Sequence, residues 1–202
     1  MSRIKMEKSK RVSVSIMMHP SRKKYLPYLK KKLGNVPVAM ATDASIWNTC
    51  KKAWLLFDPK AEYHFVIQDD AIIGKNFYEH VEGLISNGSE YVYNLYLGKP
   101  RFRSAVKRAK DKKKGYIRKS NIHHEIALGF PTKHIEKMVK YVDQINTAEN
   151  INHDKTINRY VRENNMVVFF PLPSLIDHRA EESLHTMNRG HYKAKALWFI
   201  GE

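Results

Sequence analysis

The stretch HFVIQDDAIIG runs from His64 to Gly74. Phe65-Val66-Ile67 is a short apolar run of the length of a buried strand. It delivers the chain onto two adjacent carboxylates, Asp69 and Asp70, and apolar residues resume at Ala71. Like charges at such an exit repel, and each raises the other's pKa unless a cation intervenes. A divalent metal removes the conflict. The plainer alternative is a solvated turn in which Asp70 caps a helix over 74–87. On a strand the two side chains face opposite ways, so the reading expects them to play different roles.

Outward from this stretch the periodicity alternates. Val12 to Met18 reads as a strand, broken by His19-Pro20-Ser21-Arg22. Tyr25, Leu26, Leu29 and Leu33 keep helical spacing, and Gly34 stands where a helix stops. Val36 to Ala41 is a second strand that ends at Thr42-Asp43. Ile46, Trp47, Cys50, Ala53, Trp54 and Phe57 mark one helix face before Pro59. Phe65 to Gln68 is the third strand; Phe77, Val81, Leu84 and Ile85 mark the next helix, and residues 91–97 the fourth strand. This β-α-β-α-β-α-β order predicts an α/β, Rossmann-like sheet with right-handed crossovers. Such sheets bind ligands beyond the carboxyl ends of their strands. His19 to Arg22, Asp43, and Asp69-Asp70 all fall at such ends, which points to one shared crevice. The second half is less regular. Residues 123–131 read as a strand ending in a turn, 135–142 as the buried stripe of a helix, 151–165 as a loop into a helix, 166–170 as a strand, and 192–200 as a short C-terminal helix.

The 202 residues, 43% of them apolar, are enough for one domain with a sizeable core. Residues 1–11 read as a flexible basic lead-in, and 99–120 as a basic loop, arm or frayed helix within that domain. The formal net charge is +16, which predicts attraction to a polyanion. The single cysteine, Cys50, excludes an intramolecular disulfide and fits a reducing compartment, so a cytoplasmic location is expected. No apolar stretch approaches the ~20 residues of a spanning helix.

Three further groups could carry chemistry. In PLPSLIDHR, His178 is a suitable ligand for a manganese-like ion, and Arg179 could meet a phosphate bidentately. Asp154 stands where a helix begins, as an N-cap or as a general base at the crevice. His123-His124-Glu125 invites a zinc reading, which fails on spacing: there is no HExxH or CxxC, and neighbours on a strand diverge. His124 and Glu125 are expected instead to touch an acceptor. Between Lys99 and Lys119 lysine and arginine crowd against one acid, Asp111, with Phe102 and Tyr116 interleaved.

Taken in order, a strand into HPSR, a strand into Asp43, VIQDDA, a late HD opening a helix, and PSLIDHR resemble small phage-encoded glycosyltransferases of the GT-A fold. The resemblance spans roughly residues 12–185. It implies one GT-A-like domain with a mixed, mostly parallel sheet flanked by helices. It also implies a nucleotide-sugar donor, most simply a UDP-sugar. His19, Pro20, Arg22 and Asp43 would surround base and ribose, with Trp47 and Lys52 adding stacking and phosphate contact. QDD would stand for the D-x-D motif, with Asp69 by the ribose and Asp70 on Mn²⁺ or Mg²⁺. His178 matches the late histidine of the metal shell, and Asp154 the base of inverting members. Gln68 departs from the motif's first acid, and His123-His124-Glu125 stands where a tryptophan-glycine pair is usual beside the acceptor.

The charge and the resemblance together point to double-stranded DNA as acceptor. The nucleophile would be the hydroxyl of a hydroxymethylated pyrimidine such as hydroxymethylcytosine, with Arg101, Arg103, Lys107 and Arg108 on the phosphates. A saccharide or protein acceptor is the alternative within the class. A metal-dependent nuclease is the alternative outside it, though Asp70 is followed by Ala71-Ile72 where a nuclease would place a lysine. A non-catalytic DNA-binding module is a further one.

Overall fold

A computed structural model describes residues 11–86, 90–145, 153–179 and 195–202. The lead-in over 1–10 and the stretch 180–194, with the end of the family pattern, lie outside the described residues.

The parallel strands β1 (Val12–Met18), β2 (Val38–Met40) and β3 (Tyr63–Gln68) are separated by α1 (Leu26–Leu33) and α2 (Ile46–Trp54). Beyond Asp69-Asp70 come a short strand β4 (Ala71–Ile73), α3 (Phe77–Ile85) and β5 (Val92–Asn94). The second half supplies α4 (Arg103–Asp111), β6 (Tyr116–Lys119), β7 (Ala127–Pro131), α5 (Thr132–Ile145) and α6 (His153–Glu163). β8 (Val168–Pro171) and β9 (Ile176–His178) follow. Seven strands form one sheet in the order β2-β1-β3-β7-β5-β8-β6, while β4 and β9 make a separate ribbon. β7 and β6 run against the other five, so the sheet is mixed and mostly parallel, as expected. One face packs on α1 and α3 through Val14, Ile16, Phe65 and Ile67. The other packs on α2, α4, α5 and α6 through Val66, Leu128, Phe130 and Phe170. β7 crosses Phe65 at Gly129, where a Cβ would stand 2.2 Å from the ring, so only glycine lets the two strands pair.

Several expectations are corrected. No helix starts at 74, because the chain turns back as β4; α3 begins at Phe77 with Asn76 as its cap, so Asp70 caps nothing. His123-His124-Glu125 is not strand: β7 begins only at Ala127, and the three residues form a loop. Of the readings of the basic segment the helix holds and the loop does not: it is a short 3₁₀ turn (Pro100–Phe102), α4 and the edge strand β6, because Phe102, Val106 and Ala109 bury one helix face. Residues 195–200 are irregular, bridging to Ser174 through Phe199, and not helix. No helix of the described residues is long and apolar enough to cross a membrane.

The serines of VSVSI face α2, not water. They take up a fully buried histidine from β3: Ser13 Oγ is 2.7 Å from His64 Nδ1, and Ser15 Oγ is 3.0 Å from Nε2. Burial lowers the His64 pKa from 6.5 to about 4. The unfolded chain therefore takes up a proton near pH 6.5 that the folded one refuses until about pH 4, and stability is lost as pH falls through that window. Wild type should lose about 2 kcal/mol more between pH 7 and pH 5 than His64→Gln in urea unfolding; equal losses would contradict this.

Candidate active site

β1 and β3 end side by side, so the residues that leave them meet. The His19 amide donates to Asp69 Oδ2 at 2.6 Å. Arg22, in the 3₁₀ turn Pro20–Tyr25, puts Nη1 3.0 Å from Asp69 Oδ1 and 2.6 Å from Asp70 Oδ2. The two aspartates lie in a turn beyond the strand, not on it, which is why one guanidinium touches both. That corrects the expectation of opposite faces. All three side chains are nearly buried. β9 pairs with β4 in the register Ala71 to His178, and this ribbon brings His178 Nε2 to 3.2 Å from Asp70 Oδ2. Asp177 serves the backbone instead. Its Oδ1 accepts the amides of His178 at 2.8 Å and Ala196 at 2.6 Å, tying down the C-terminal segment.

The carboxylates do differ in their electrostatics. Burial pushes both upward. For Asp70, the bond from His178 and the charges of His178 and Arg22 win, and its pKa lies below the ordinary value. For Asp69, burial and the charge of Asp70 outweigh the His19 amide and Arg22, and its pKa is raised. Asp70 is thus the firmly ionised member. Among the described residues its Oδ1 is buried without a hydrogen-bond partner, as are His178 Nδ1 and Arg179 Nε. An unpaired buried carboxylate oxygen is costly unless a ligand satisfies it. An acidic oxygen beside an imidazole suits Mn²⁺ or Mg²⁺, so the donor set fits such an ion. The Arg179 amide donates to the Asp70 carbonyl at 2.8 Å, and its guanidinium stacks on Tyr25 and Tyr28 at 4.6 and 4.5 Å from their ring centres. Two arginines therefore flank Asp70.

The crevice continues along the sheet's edge. Tyr96, just past β5, has its ring 6.2 Å from His178 and 6.0 Å from His124. Asn94, buried in β5, donates to the carbonyls of His123 and His124 at 3.0 and 3.1 Å. These bonds hold His124 at φ 62°, a left-handed backbone that costs a non-glycine residue energy. Burial and nearby cations lower both histidines to about 4, so they are neutral. His153, the first residue of α6, lies 3.2 Å by Nε2 from Glu125 Oε2 and 3.2 Å from Asp154 Oδ1. Cys50 Sγ of α2 lies within 4.8 Å of the ligand atoms of Glu125 and of the same imidazole. Burial opposes charge on His153, but Glu125 prevails and raises its pKa; burial first, then Asp154, raises Glu125. Asp154 is half exposed, and the ammonium of Lys99 is close enough to act on both Asp154 and His124.

The remaining sequence-read residues are less central. Pro20 is exposed at the first turn. Asp43 is also exposed and accepts from the Ser45 amide and the Asn48 side chain, while Lys52 donates to Thr42. This group sits beside His19 because the Ala41 amide bonds the Met18 carbonyl. Trp47 lies in the core: its indole N–H donates to Asp143 at 2.8 Å, and its ring is 6.1 Å from that of His153. Arg101 reaches His123 Nδ1 at 3.1 Å, while Arg103, Lys107 and Arg108 lie on the exposed face of α4. Sequence reading passed over Asn94, Tyr96, Cys50 and His153. Asn94 carried a signal, a lone amide inside YVYNLYL, since a buried amide must find partners. The other three become visible only through the packing.

The fold and site define a mixed α/β protein with an acid-histidine-arginine crevice at its strand ends. No protein family and no curated protein matches the sequence. Among solved structures, the chain is similar to A197 from STIV, with a TM-score of 0.51 and 12% identity over 92% of this chain and 94% of that one. That likeness establishes a shared fold. Two others superpose more loosely. A glycosyltransferase involved in glycosylating the major capsid of PBCV-1 gives a TM-score of 0.45 at 10% identity, covering 80% and 94% of the two chains. A Drosophila β-1,4-galactosyltransferase 7 in complex with manganese, UDP-Gal and xylobiose gives 0.41 at 11%, covering 92% and 83%.

Proposed function

We propose that this protein is a glycosyltransferase that moves a sugar from a nucleotide donor, a UDP-sugar, onto a hydroxyl. The observation that carries this reading is the ionised, buried Asp70 at the strand ends, whose Oδ2 meets His178 and Arg22 while its Oδ1 has no partner among the described residues. Asp70 and His178 would hold Mn²⁺ or Mg²⁺, whose charge offsets that of a bound diphosphate. Arg22 and Arg179 stabilise the negative charge that grows on the departing nucleoside diphosphate. Arg179 is pre-oriented by its two tyrosines, so little side-chain freedom is lost on binding. His19, Pro20, Asp43 and Asp69 line the base and ribose side, with Lys52 near them. Asp154 takes the proton of the acceptor hydroxyl as that oxygen attacks the anomeric carbon opposite the leaving group. The configuration is inverted by this single displacement.

The acceptor we infer is a hydroxymethylated pyrimidine in duplex DNA. Arg101, through His123, and Lys99, beside His124 and Asp154, join the basic face of α4 to the acceptor side of the crevice. Lys119 lies over Phe102 and carries the basic surface on to a depression of roughly 640 Å³ lined by Arg118, Lys119 and Arg162. Arg103, Lys107 and Arg108 would contact phosphates without reading sequence. Acceptor affinity should then fall steeply with salt, by about one decade of slope per contact, while UDP-sugar affinity barely changes. Replacing Arg103, Lys107 and Arg108 together by alanine should flatten the slope of log K against log salt by about 3. An unchanged slope would remove α4 from the DNA path. The function itself is tested with a panel of sugar nucleotides and Mn²⁺ against hydroxymethylated and plain DNA. Mass spectrometry of the digested nucleosides should show a sugar-sized gain only on the modified base. Sugar appearing on a saccharide or protein instead would replace the acceptor, and nicked plasmid would favour the nuclease reading.

A further inference from the structure

Cys50 on the middle of α2, Glu125 in the loop before β7, and His153 at the start of α6 are remote in sequence. Their ligand atoms all lie within 4.8 Å of one another, and all three residues are buried. A polar cluster of this kind is an odd place for the chain's only cysteine, which ordinarily packs as a small hydrophobe. Glu125 is 93% buried by its 7% relative exposure, and its Oε1 has no hydrogen-bond partner among the described residues. The ion pair with His153 therefore leaves half of this carboxylate unsatisfied, which a buried pair can hardly sustain. The spacing also has a chemical meaning. Donors on a tetrahedral zinc with bonds of about 2.0–2.3 Å stand about 3.3–3.8 Å apart. Glu125 Oε2 and His153 Nε2 are already 3.2 Å apart, and the Cys50 Sγ lies within 4.8 Å of a ligand atom of each.

We infer that Cys50, Glu125 and His153 form a second metal site, for a zinc-class divalent ion, separate from the Asp70–His178 pair. The donor sets differ in kind: carboxylate and imidazole at Asp70 suit a hard ion, whereas a thiolate selects a softer one. Binding expels the thiol proton and the imidazolium proton to solvent, and the ion takes their place against Glu125. The fourth position falls to a water, and the Asp154 Oδ1, 3.2 Å from His153 Nε2, stays free beside it. The ion would clamp α2, the 121–126 loop and the first turn of α6, and so fix Asp154 at the crevice. This inference stands on the cluster alone and does not need the transfer reading.

The test uses the purified full chain stripped of metal and titrated with Co²⁺. Because Cys50 is the only cysteine, a thiolate-to-cobalt charge-transfer band in the near ultraviolet can come from no other side chain. We expect that band to saturate at one equivalent and to be displaced by Zn²⁺. It should be lost in Cys50→Ser and retained in Asp70→Asn. Glu125→Gln should bind Co²⁺ at least about 10-fold more weakly. Folded wild-type protein that shows no such band at saturating Co²⁺ overturns the site, whatever the variants do. A band that Zn²⁺ fails to displace overturns the zinc-class assignment.

Discussion

Asp70→Asn is expected to abolish metal-dependent donor binding, weakening UDP-sugar affinity in the presence of Mn²⁺ by about 10²–10³-fold. The amide has the size of the carboxylate, so the fold should survive. What it removes is the charge that His178 and Arg22 keep in place by holding the Asp70 pKa below its ordinary value. It also replaces one oxygen by an NH₂, which cannot satisfy both the Arg22 Nη1 at 2.6 Å and a bound cation. His178→Ala removes the companion donor and should cost less, about 10–100-fold. Titration calorimetry with UDP-sugar, run with Mn²⁺ and with EDTA, separates the cases. If Asp70→Asn binds as tightly as wild type and the two curves coincide, Asp70 does not serve the donor.

Asp154→Asn should behave in the opposite way. Its donor affinity should match wild type, because Asp154 lies with His153 and Lys99, on the side proposed for the acceptor, rather than with Arg22. Its turnover should fall by about 10²–10⁴-fold, the usual worth of a positioned base. A loss confined to kcat identifies an interaction made only as the reaction proceeds. Full activity in Asp154→Asn would show that another group accepts the proton.

Much of the architecture was legible because its signals are local. The alternation of Val12–Met18, the helical spacing around Leu29 and Leu33, and the apolar run into Asp69 each report one element, and the parallel half of the sheet follows from their order. The antiparallel partners were less so. β7 lies next to β3 through pairing between residues about sixty positions apart, and nothing local announces it. The basic segment was ambiguous for a different reason. Charge dominates its composition, yet Phe102, Val106 and Ala109 suffice to seat a helix. At the crevice, Asp70, Arg22 and His178 were each visible as polar groups at the end of an apolar run. Their convergence depends on the ribbon of β4 and β9, which the sequence shows only as six residues without a partner. Cys50, Glu125 and His153 could not have been joined from spacing, since three separate segments meet there only after packing.

The central claim is that the carboxylate after β3 anchors a cation for an activated sugar. Crystals grown with Mn²⁺ and a UDP-sugar, with diffraction collected at the manganese absorption edge, test it most directly. The account predicts an anomalous peak bonded to Asp70, with His178 in its shell and the diphosphate oxygens on its open side. A peak elsewhere, or a diphosphate bound with no ion at Asp70, would contradict it.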